Sequence, residues 1–183
     1  MKVNTTALIL VAFCSAIVSV LAQITIPLPL IPITGQTLAI GLVVTILGLK
    51  YGTYSVLLYI LLGVVGLPVF QSFTGGVGIV FGPTGGYILG FIPCALIIGY
   101  YLQKTSTTIF HAIVANILGM FVTLAFGATW LKILNDLSWE AAFLAGVVPF
   151  LIVGVVKAVI AAFVGVIVHQ RLTQAKLLTK LAS

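Results

Sequence analysis

The sequence predicts an all-α integral membrane protein, a bundle of six transmembrane helices with both termini on the cytoplasmic side. Of its 183 residues, 62% are apolar and only 5% are charged, a composition far from that of a water-soluble domain. The charges sit almost entirely in short connections, leaving residues 3–49 and 51–103 without any Asp, Glu, Lys or Arg. Each run is too long for one span of about 20 residues, and each is interrupted by helix-breaking Pro or Gly. This composition excludes a cytosolic enzyme. The net charge of +6 comes from basic residues at span ends, so it reports orientation and not a nucleic-acid partner.

Taken in order, the first helix is expected over about 5–22, before Ile26-Pro27-Leu28-Pro29-Leu30-Ile31-Pro32, which cannot stay helical. An irregular loop follows, then a second helix over about 36–49, ended by a Lys50-Tyr51-Gly52 turn, and a third over about 54–67. A connection rich in Gly and Pro leads to the fourth helix, about 85–102, and Lys104 precedes the fifth, about 109–131. A polar loop with Lys132, Asn135, Asp136 and Glu140 leads to the sixth, over about 141–168, with Pro149 as a second candidate start. Residues 1–183 therefore read as a single membrane domain. Lys2, Lys50, Lys104, Arg171, Lys176 and Lys180 fall on one side and Lys132 on the other, which puts both termini in the cytoplasm and the two Pro- and Gly-rich loops outside.

Lys2, the apolar run after it and Val20-Leu21-Ala22 also resemble a cleavable signal peptide, whose removal would leave five spans. Against cleavage, Ala12, Ala16 and Ser19 give the first helix a small-residue face suited to close helix approach. That face packs either within the bundle or against a partner membrane subunit. Cys14 and Cys94 lie inside apolar stretches, where packing as small hydrophobes outweighs a disulfide or a metal site.

The most informative residue is Lys157, deep within Val153-Gly154-Val155-Val156-Lys157-Ala158. A charge at mid-bilayer costs several kcal/mol, about 2.5 to 3.5 on insertion scales, and no span holds a carboxylate to neutralise it. The missing anion is a bound ligand, unless Lys157 snorkels, loses its proton, or is met by Asp136 or Glu140 folding back. Gly75, Gly76 and Gly78, in one outward loop, either let the backbone approach a ligand closely or simply form turns. Thr34, Gln36, Tyr87 and Asn116 add hydrogen-bonding groups that serve a ligand or bridge helices. The chain has no GxxxxGK[ST] phosphate loop, so energy for any pumping comes from elsewhere. It has no HExxH, GxSxG or CxxC and no pair of intramembrane carboxylates, which leaves catalysis without equipment and a metal without ligands. His111 and His169 read as interfacial side chains.

IPLPLIPIT at Ile26 to Thr34 with Gln36, GLPVF at Gly66 to Phe70, and GGVGIVFGPTGGYILGF at Gly75 to Phe91 resemble BioY, the biotin-binding S component of energy-coupling factor transporters. The likeness is strongest over residues 23–95 and rests mainly on GPTGGY at Gly82 to Tyr87. It implies a six-helix S-component fold in the bacterial cytoplasmic membrane and a biotin pocket near the outer side. It also implies assembly with a transmembrane T component and two cytoplasmic ATPases, which would use the ATP while this chain holds no cofactor. Ala12 and Ala16 would dock on the T component. The family's PFxxGDxxK-like segment reads PFLIVGVVK here, matching at Lys157 and departing at Gly154, where the family has Asp. Biotin's carboxylate would then pair with Lys157, and Asn116, Gln36 or loop carbonyls would serve its ureido ring. The alternatives are an S component for riboflavin or thiamine, and a small channel or assembly protein in which Lys157 lines an anion path.

Overall fold

The computed structural model describes residues 5–178, so Lys2, Lys180 and the two ends of the expected domain lie outside the described residues. The chain runs α1 (Thr5–Leu21), strands β1 (Thr25–Ile26) and β2 (Ile33–Thr34), α2 (Gln36–Val64), a single 3-10 turn (Gln71–Phe73), α3 (Val77–Phe81), α4 (Gly85–Lys104), α5 (Ile109–Leu134), α6 (Trp139–Gly146) and α7 (Val148–Gln174). The proline loop is thus a small antiparallel hairpin, pairing Thr25 with Thr34 and Ile26 with Ile33.

Helix α2 doubles back on itself. At Gly48 the backbone takes φ 76° and ψ −173°, a region open essentially to glycine alone. A Cβ on Gly52 would lie 2.7 Å from the Cα of Val44, so the two limbs run side by side. The Gln36 side-chain amide reaches the Tyr59 hydroxyl at 2.7 Å, whereas a straight helix would hold those residues about 35 Å apart. The reversal therefore falls at Gly48 and not at Lys50-Tyr51-Gly52, which already belongs to the second limb. Backbone conformation decides the place: Lys50 marks the polar end of the bundle, but Gly48 is where the chain can turn.

With α2 counted as two limbs, the fold has the six main helices the sequence predicts. Helix α2 as a whole, α4, α5 and the α6–α7 stretch are each long and apolar enough to cross a membrane. Helix α1, with 17 residues, falls short of the about 20 that a straight span takes. The sixth span is in two pieces: Val147, at φ −122° and ψ −56°, separates α6 from α7. Both starts read from the sequence exist, because Pro149 sits in the first turn of α7, where its missing N–H costs nothing.

Packing centres on the α2 hairpin, which touches α1, α4 and α7, while α5 closes the ring between α4 and α7. Small residues bring the helices close: a Cβ on Gly165 would lie 2.8 Å from Cβ of Thr45, and one on Gly99 2.9 Å from Cβ of Leu49. Helix α1 buries the stripe Ala7, Val11, Cys14, Ser15 and Val18 against α2 and turns Ala12 and Ala16 outward. The outer surface as a whole is apolar, with Leu8, Phe13, Leu61, Phe121, Ile152 and Phe163 exposed. Water would not tolerate such a surface and lipid requires it, which makes the chain an integral membrane protein.

The two ends of the bundle differ. At one, next to the break at Gly48, His169 Nδ1 of α7 meets the Ile46 carbonyl at 2.7 Å. Lys50, the end of α4 and Arg171 gather at that end. At the other lie the hairpin, the 3-10 turn and α3. Gln23 ties the end of α1 to residues 69–73: its Nε2 donates to the carbonyls of Ser19 (2.9 Å), Val69 (3.3 Å) and Phe70 (3.0 Å), and its Oε1 accepts from Phe73 N–H (2.8 Å).

Candidate functional site

Beneath the outer loops the helices enclose a narrow cavity. Each element contributes residues at its own period. Tyr87 and Phe91 come from α4, Met120, Thr123 and Leu124 from α5, and Phe150, Gly154 and Lys157 from α7, at helical spacings of three and four. Thr34 of β2 with Gln36 and Thr37 at the start of α2 forms one wall, and Ile31, Pro32, Phe70 and Gln71 reach in from the loops. The GPTGGY turn sets this geometry from behind. A Cβ on Gly86 would lie 2.7 Å from the Phe126 carbonyl oxygen, and Trp130 Nε1 donates to the Gly82 carbonyl at 2.9 Å, so α4 begins flush against α5.

Polar groups converge on one side. Lys157 Nζ donates to the Thr34 carbonyl at 2.7 Å and to Thr37 Oγ1 at 3.4 Å. Thr34 Oγ1 donates to Gln36 Oε1 at 2.7 Å, and Gln36 Nε2 donates to the Tyr59 hydroxyl at 2.7 Å. Lys157 thus uses two of its three hydrogens on neutral oxygens, and Asp136 and Glu140, the only acids in the chain, are exposed, Asp136 in the α5–α6 connection and Glu140 in the first turn of α6. The opposite side is aromatic. Tyr87 commits its hydroxyl to the Gly146 carbonyl at 2.7 Å and offers its ring, 6.0 Å from that of Phe150. A cation and an amide facing an apolar, aromatic wall suit a small, largely apolar molecule with an anionic end.

Of the residues singled out from sequence, Thr34, Gln36, Tyr87 and Lys157 meet in this cavity. Asn116 lies lower, in a smaller hollow below, where its Nδ2 donates to Thr45 Oγ1 (3.1 Å) and the Ala112 carbonyl (2.8 Å), joining α5 to α2. Gly75, Gly76 and Gly78 are outside the cavity. Gly76, at φ 99°, donates its N–H to the Gly63 carbonyl at 2.7 Å. Gly75 has no room for a Cβ beside the Leu67 carbonyl, and Gly78 lines a shallow outer hollow. Their work is to close the loop after α2. Thr37, Phe70, Gln71, Phe91, Met120 and Phe150 were not foreseen. Stepping by four and three from Phe150 through Gly154 to Lys157 would have found the α7 face, and Thr37 adjoins Gln36.

A membrane-embedded six-helix bundle that holds a small-molecule cavity beneath its outer loops, with Lys157 as the one internal cation among the described residues, is the class that fold and site define. The profile of the BioY family matches residues 1–174, and the chain belongs to that family. It is 38% identical over 159 residues to "Biotin transporter BioY2" of Lactococcus lactis subsp. cremoris, covering 87% of each chain. It is 38% identical over 151 residues to "Biotin transporter BioY" of Thermotoga maritima, covering 82% of this chain and 88% of the relative. The solved structure of "the S-component for biotin from an ECF-type ABC transporter" superposes with a TM-score of 0.81 at 29% identity, covering 92% of this chain and 90% of that one.

Proposed function

We propose that the chain is the substrate-binding S component of an energy-coupling factor importer, a single six-helix domain in the bacterial cytoplasmic membrane that captures biotin from outside. Both termini face the cytoplasm, in keeping with the clustering of Lys50, Lys104 and Arg171 at the end of the bundle away from the cavity. The observation that carries the ligand reading is Lys157: an internal cation with no carboxylate partner among the described residues, facing an aromatic cavity. Biotin's carboxylate pairs with Lys157, its rings lie against Tyr87 and Phe150, and Gln36 and Thr34 offer hydrogen bonds nearby. Uptake is driven by a T component and two ATPases, with the exposed Ala12 and Ala16 as the docking face on α1.

The test is equilibrium binding of labelled biotin to the purified chain, competed by biotin, biotin amide, riboflavin and thiamine. Saturable binding displaced by biotin, and poorly by the amide or the other vitamins, is the expected result. Displacement by riboflavin or thiamine instead would replace the ligand, and conductance without saturable binding would replace the class.

A further inference from the structure

The cavity has a continuation that the outer chamber does not use. Below it lies the hollow around Asn116, and the two spaces share Thr37, Met120, Thr123, Gly154 and Lys157 as walls. At their junction is Met120 of α5, whose thioether lies across the helix gap against Gly154 of α7. A Cβ on Gly154 would collide with Met120 Sδ and lie 3.1 Å from its Cγ, so the side chain fills the space that any larger residue at 154 would occupy. Met120 is buried, with 8% exposure, and is unbranched and adaptable in shape. Beneath it the hollow is mainly apolar, walled by Cys94, Ile98 and Ala158, with Asn116, Thr123 and Thr37 at its edge.

We propose that Met120, seated on Gly154, is the floor of the ligand cavity and a specificity-determining residue. It confines the ligand to the outer chamber and withholds the inner hollow from larger molecules. The identity of the ligand rests on the biotin reading, but the floor itself does not.

Two measurements on the intact chain decide it. In a Cys14→Ala background, Cys94, which lines the lower hollow, becomes the single thiol of a chain with two cysteines. An anionic methanethiosulfonate, drawn toward Lys157, should then modify Cys94 at least about tenfold faster in Met120→Ala than with Met120 present, because access governs thiol reactivity. Met120→Val, which keeps more apolar volume, gives the same opening in milder form should the alanine variant fail to fold. The second measurement compares biotin with a homologue one methylene longer. Discrimination by the wild type of about tenfold or more should shrink in Met120→Ala. Equal Cys94 modification rates with and without the Met120 side chain would overturn the floor, even if biotin binds. Absence of biotin binding alongside faster modification would remove the ligand reading and leave the floor standing.

Discussion

Replacing Lys157 by Met keeps the aliphatic stem and removes the ammonium group, which isolates the charge. Nζ has three hydrogens and spends two, on the Thr34 carbonyl at 2.7 Å and Thr37 Oγ1 at 3.4 Å. A ligand carboxylate can therefore take the third without breaking either. A hydrogen bond to a charged group contributes about 1.5–3 kcal/mol, so Lys157→Met should weaken biotin binding by about 10- to 150-fold. Biotin amide, lacking the charge, should lose no more than about threefold. The ligand-free protein should keep its stability, because relief from burying a lone cation, about 2.5–3.5 kcal/mol, offsets the lost bond to Thr34, about 1.5–3 kcal/mol. Calorimetric titration of both ligands into both proteins, with thermal unfolding of the ligand-free forms, measures all three quantities. Equal losses for acid and amide would refute the carboxylate contact. A variant that unfolds many degrees earlier without ligand would show that Lys157 holds the fold together and does not recognise an anion.

Other substitutions probe the scaffold and the partner face. Gly48→Ala meets no atom within 4 Å yet forces a side chain into φ 76°, so it should cost about 1–3 kcal/mol in denaturant unfolding; Gly78→Ala, also in open space but without a positive φ, should cost under about 0.5 kcal/mol. Gly127→Ala places a Cβ against the Tyr87 ring, and should both cost about 1–3 kcal/mol of stability and weaken ligand binding as the ring leaves the cavity wall. Ala16→Trp, on the outward face of α1, should leave ligand affinity of the isolated chain intact while abolishing co-purification with a T component; retained assembly would move the docking face elsewhere.

Much of this architecture is legible in the sequence because membrane spans announce themselves through long apolar runs between charges. Pro27, Pro29 and Pro32 mark the loop after α1 for the plain reason that proline cannot donate to a helix. The turn inside α2 was misplaced by two residues because Lys50 is visible as a charge, whereas the positive φ of Gly48 is invisible until the limbs pack. The 3-10 turn and α3 hid in a Gly-rich stretch whose helicity comes from tertiary contacts and not from propensity. For the site, polar residues in apolar surroundings drew attention to Thr34, Gln36, Tyr87 and Lys157, which do meet. The apolar half of the wall, Phe91, Met120 and Phe150, did not stand out in a chain that is 62% apolar. Gly75, Gly76 and Gly78 misled because a glycine that closes a loop and one that admits a ligand look alike in sequence.

The amide of Gln23 has a mechanical consequence for the rim of the cavity. The hairpin that carries Ile31, Pro32 and Thr34 and the turn that carries Phe70 and Gln71 come from distant parts of the chain, and three hydrogen bonds of the Gln23 side chain reach residues 69–73 while a fourth returns to Ser19 of α1. Because all four share one residue, a single substitution there removes them together. The turn that brings Phe70 and Gln71 to the rim is thereby anchored by a residue that does not itself line the cavity.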